Sequence, residues 1–75
     1  QLDVRLDAPG HVKVQVFNIA GQAVISLLNE TRPAGMFVLQ WSGRNAGGDI
    51  LGNGVYLVLI ETPSGRFVRK VIILK

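Results

Sequence analysis

Five carboxylates, Asp3, Asp7, Glu30, Asp49 and Glu61, are the groups of this chain that could carry acid–base chemistry. Such chemistry needs groups that converge in a cleft. Asp3 and Asp7 instead share one strand face with Arg5 between them, the pattern of a solvated face with local charge pairing. The single histidine, His11, follows Pro9-Gly10 at a strand entrance and reads as an exposed loop residue, not as a base or ligand. Ser26, Ser42 and Ser64 have no histidine nearby and no nucleophile elbow, which removes a serine hydrolase. There is no cysteine, so disulfides, thiolate metal sites and thiol redox chemistry are excluded.

Binding chemistry fares little better. Between Gly43 and Gly54 lie five glycines (43, 47, 48, 52 and 54) with Asn45, Asp49 and Asn53. A phosphate loop would need Gly-Lys-Ser/Thr or a spaced glycine motif opening a helix, and neither occurs. Asp49 with Asn45 and Asn53 does not have the spacing of a calcium loop, and one carboxylate is too few. The stretch reads as a glycine-punctuated connection between sheets. Arg66, Arg69, Lys70 and Lys75 concentrate near one end but fall on both strand faces, so no nucleic-acid surface is expected. Most of the five aromatics look core-bound, which leaves few platforms for a carbohydrate. No catalytic residue, metal or cofactor is expected.

The elements that must position these residues are strands. The chain has 75 residues, 48% of them hydrophobic and only 17% charged, with mean hydropathy +0.34 and net charge +3. That is one small domain, too apolar to be disordered. Leu2, Val4 and Leu6 alternate with Asp3, Arg5 and Asp7; Val12, Val14 and Val16 alternate with Lys13 and Gln15. Period two means strands with one buried face. Further strands are expected over 23–28, 36–40, 55–61 and 67–74, with a very short edge strand at Ile50-Leu51. Residues 29–35 read as a polar loop and 62–66 as a hairpin turn. The sum is an all-β antiparallel sandwich or small barrel of six to seven strands. Trp41 is the expected largest core residue, with Phe17, Phe37 and Tyr56 as companions. No stretch approaches the roughly 20 apolar residues of a membrane helix. Without a signal peptide or initiator Met, the chain reads as a processed product or excised module.

One feature breaks the alternation. Val55-Tyr56-Leu57-Val58-Leu59-Ile60 and Val71-Ile72-Ile73-Leu74 are uninterrupted apolar runs. Such runs imply cover on both faces, whereas the outer face of a sandwich this small should be wet. Either loops of a curled sheet or barrel supply the cover, or the outer face is an interface. Lys70 and Lys75 flank the last run as guards against uncontrolled edge pairing.

Several segments resemble known families. Val14-Gln15-Val16-Phe17-Asn18-Ile19-Ala20-Gly21-Gln22-Ala23-Val24, Ala34-Gly35, Trp41-Ser42-Gly43-Arg44-Asn45, Gly54-Val55-Tyr56 and the ending Arg69 to Lys75 are similar, in order and spacing, to immunoglobulin-like C-terminal modules of secreted bacterial proteins. Two families share the pattern: the type A sorting domain of type IX secretion and the Ig-like domain of the flagellar hook-capping protein family. The resemblance covers roughly residues 10–75, with Trp-Ser-Gly where Trp-Asp-Gly is usual. It implies a single Ig-like β-sandwich domain over 1–75, secreted or at the cell surface, with protein partners: secretion machinery, a parent-protein domain or copies of itself. Neither nucleic acid nor membrane insertion is implied. Its recognition elements would be Gly54, Tyr56, Lys70 and Lys75, and the apolar run Val71, Ile72, Ile73 and Leu74 would join them as interface. The expected function is non-catalytic secretion sorting or surface attachment. The rivals are a filament subunit that assembles by strand augmentation and an accessory carbohydrate- or surface-binding module.

Overall fold

Alternation in the valine-rich segment decides the layers of this computed structural model, which describes residues 2–74. Lys75 lies outside the described residues. In β2 (Gly10–Asn18), Val12, Val14 and Val16 are fully buried while His11, Lys13 and Gln15 point the other way. β2 is central because both neighbours follow the same alternation. On one side it pairs with β3 (Ala23–Arg32), on the other with β5 (Gly54–Thr62), where Val16 faces Val58 and Val14 faces Ile60. β5 then pairs with β6 (Gly65–Ile73), giving a four-stranded antiparallel sheet in the order β3-β2-β5-β6. A second sheet of two antiparallel strands, β1 (Leu2–Leu6) and β4 (Gly35–Leu39), closes over it with Val4 and Leu6 facing inward.

The core is built from aliphatic side chains. Val4, Leu6, Val12, Val14, Val16, Val58 and Ile60 are buried together with Tyr56. Burying each such side chain contributes roughly 1.5–3 kcal/mol. Trp41, expected at the centre, is half-buried and packs against the rim of this cluster. Phe37 also packs at the rim, beneath the Arg32 guanidinium, 4.4 Å from the ring centroid, so β4 lies over β3. Phe17 is outside the core altogether. It follows Val16 and therefore faces outward, opposite Leu57.

Four further expectations change. Residues 29–32 are not loop: they extend β3 and pair with Gly10 to Lys13. Their polarity reflects exposure at the end of an edge strand, not a lack of backbone partners. His11 accordingly sits within β2, its Nε2 donating to Asn29 Oδ1 at 2.5 Å. Ile50 forms a lone bridge with Arg44, not a strand. The hairpin turn narrows to Pro63-Ser64, because Thr62 and Gly65 already pair.

Candidate functional site

The residues singled out by motif fall into two places, and the first is the connection from β4 to β5. Trp41 Nε1 donates to the carbonyl of Arg44 at 2.9 Å, and Arg44 Nη1 donates to the carbonyl of Gly48 at 2.9 Å. Tyr56 donates its hydroxyl to the carbonyl of Gly52 at 3.0 Å, and its ring meets Trp41 edge-on with centroids 5.8 Å apart. Gly54 opens β5 beside that ring. So Gly54 and Tyr56 lie in the packed frame of the connection: Tyr56 is buried and its polar tip is engaged inside the molecule.

Within the connection, Asn45 builds a tight five-residue loop. Its Oδ1 accepts from the amides of Gly47 (3.0 Å) and Asp49 (2.9 Å), its carbonyl accepts from Gly48 N, and its own amide donates to the Asp49 carbonyl. Asn18 makes the same loop between β2 and β3. Asn18 Oδ1 accepts from Ala20 and Gln22, its carbonyl from Gly21 N, and its amide donates to the Gln22 carbonyl. Gly21 (φ 83°) and Gly48 (φ 88°) occupy equivalent places, and the left-handed φ there favours glycine. The Asn45 oxygen is thus committed to backbone amides, which leaves it a poor cation ligand. Sequence reasoning saw a glycine-rich connection but not that it repeats the earlier turn. The signal was present as Asn, then Gly three residues on, in both places.

The second place is the outer face of the β5–β6 hairpin. Register divides the terminal run between two faces. Val71 pairs with Tyr56 and Ile73 with Gly54, so both turn inward and pack against the core cluster. Ile72 pairs with Val55 and turns outward; Leu74 is exposed beyond the strand. Lys70 pairs with Leu57, also outward. The outer face therefore carries Val55, Leu57, Leu59, Val68 and Ile72 around Lys70, and Phe17 continues it onto β2. Val68 is 56% exposed and Ile72 55%, so no loop covers them. Phe17 and Val68 escaped the sequence reading because their membership depends on cross-strand pairing, whereas Leu57 belongs to the apolar run already singled out.

Two antiparallel sheets face to face, with a Trp–Tyr corner holding the connection between them, define a small immunoglobulin-like β-sandwich. A family model described as the FlgD Ig-like domain matches residues 1–66. The chain belongs to that family. The matched span stops at Arg66, the second residue of β6. Neither curated proteins nor solved structures gave a match.

Proposed function

We propose that this chain is a non-catalytic Ig-like module of an exported bacterial protein, and that it serves secretion sorting or surface attachment by docking the outer face of its four-stranded sheet onto another protein. The observation that carries this reading is the contiguous aliphatic face of Val55, Leu57, Val68 and Ile72 around Lys70. Soluble monomers seldom leave so continuous an apolar sheet face in water, and such patches mark interaction sites. Membership of the FlgD Ig-like family supports an extracellular or flagellum-associated setting. Lys70 adds a charge at the centre of the patch that gives direction to an otherwise greasy contact. A filament built by β6-to-β6 pairing is less well supported, because Arg66, Arg69 and Lys70 crowd that edge with like charge. A carbohydrate platform has one exposed aromatic to draw on, Phe67.

The test must spare the core. Removing residues 71–75 would strip Val71 and Ile73 from the inner face and confuse misfolding with lost recognition. Ile72→Glu alters only the outer face. In the native host, that substitution in the parent protein should leave the parent retained in the envelope or shed from the surface, while the purified module keeps its melting temperature. Normal export and attachment of the Ile72→Glu protein would overturn the reading.

A further inference from the structure

The two sheets are unequal, four strands against two, and the mismatch leaves part of the larger sheet's inner face without a facing strand. β4 lies over β3, as the Arg32–Phe37 stack shows, so β1 lies toward β5 and nothing in the two-stranded sheet reaches over β6. Register turns Phe67 and Arg69 toward that missing cover, since they pair with Ile60 and Val58 of the inner face. Val71 and Ile73, further along, pack against the core cluster; Phe67 stays 45% exposed. The result is a groove of about 240 Å³, walled by the edge of β1 from Leu2 to Arg5 and floored by Ile60, Thr62, Phe67 and Arg69. Among the described residues no strand pairs with β1 on the groove side.

We propose that this groove receives an extended peptide from a protein partner. The peptide adds to the β1 edge as a third strand, setting an apolar side chain over Phe67 and a carboxylate over Arg69. Backbone pairing along an open edge supplies affinity, and alternate side chains dropping into the groove supply specificity. The chemistry of the lining selects the peptide: Phe67 offers an apolar contact, and Arg69 is the cation of the floor, Arg5 on the wall being paired with Asp7. A strand added about 4.8 Å beyond β1 would lie over the part of the β5–β6 face that lines the groove. A second copy of the chain fits poorly, because its own four-stranded sheet is also wider than its two-stranded one and its β6 would collide with the resident β6. This surface is separate from the outer face of the hairpin, so the two readings stand or fall independently.

The acetylated hexapeptide Thr-Leu-Thr-Glu-Thr-Val, titrated into the isotope-labelled chain, tests the proposal by nuclear magnetic resonance. Saturable amide shifts are expected at Leu2 to Arg5 and at Phe67 to Arg69. Arg69→Glu should weaken binding roughly tenfold or more, and a peptide with Lys in place of Glu should restore it to that variant. A peptide N-methylated at alternate residues on its pairing edge should not bind. The proposal is overturned by an absence of saturable shifts at millimolar peptide, by shifts confined to Val55, Val68 and Ile72, by unchanged affinity in Arg69→Glu, or by equal binding of the N-methylated peptide.

Discussion

At the scale of single residues, the tightest constraint is where β2 begins. A Cβ built on Gly10 would sit 2.2 Å from Cγ of Pro63 and 3.3 Å from its Cδ. The pyrrolidine ring cannot swing aside like a long side chain, so the hairpin turn itself would have to move. Gly10→Ala should therefore destabilise the chain by about 1–3 kcal/mol, the usual cost of overpacking, as measured by denaturant unfolding. Adding Pro63→Ala should return part of that loss; an unchanged or larger deficit in the double variant would refute the account. The two asparagine loops allow a second, paired measurement. Asn45→Ala leaves the amides of Gly47 and Asp49 without their acceptor, and Asn18→Ala does the same to Ala20 and Gln22. Each should cost roughly 1 kcal/mol. Asn18→Asp keeps the acceptor oxygen and faces only the neutral Gln22 amide, which can turn to donate, so it should recover most of the loss; Asn45→Asp should not, because its second oxygen would face the Asp49 carboxylate. Equal losses for Ala and Asp at position 18 would show that the side-chain oxygen is not what holds the loop.

At the scale of elements, what could be read in advance follows from what a strand's sequence reports. Alternation records which side chains meet water, and so β1 and β2 were legible within a residue or two, while β5 and β6 showed as apolar runs bounded by turn residues. Pairing leaves a much weaker trace. Asn29 to Arg32 look like a loop because they are polar, yet they pair with Gly10 to Lys13 through backbone groups that composition does not reveal. Register was equally hidden: Val71 and Ile72 are chemically alike, and only pairing with Tyr56 and Val55 sends one inward and the other out. The segments Trp41 to Asn45 and Gly54 to Tyr56, which carry the family resemblance, prove to be the mutual braces of the β4–β5 connection, a role no spacing argument supplied. The division of faces has a direct energetic consequence. Val14→Ala, in the fully buried row, should cost roughly 2 kcal/mol through lost burial and the cavity left behind, whereas Val68→Ala on the outer face should stay within about 0.5 kcal/mol. Comparable losses at both positions, in the same unfolding assay, would mean that the outer face is covered within the molecule.

At the scale of the whole molecule, the apolar surplus and the net charge of +3 act against each other. The sandwich is 36 × 19 × 19 Å, and its core takes up one face of each sheet, so the surplus in β5 and β6 has nowhere inside to go. In the isolated chain this surplus favours association through the outer face, while Lys70 at the centre of the patch and the overall positive charge oppose it. The attraction is short-ranged and hydrophobic; the repulsion is exposed and screened by salt, with a Debye length falling from about 10 Å at 0.1 M to about 3 Å at 1 M. Association should therefore strengthen as salt rises, the reverse of what an ion-paired interface would show. Light scattering at high protein concentration should find a weak, reversible oligomer that grows between 0.1 and 1 M salt. Ile72→Lys should abolish it without lowering the melting temperature, because that side chain touches no core residue. A particle that stays strictly monomeric at 1 M salt would remove copies of the chain from the possible partners of this face. Association that weakens with salt would shift attention from the aliphatic patch to the charged strand edges.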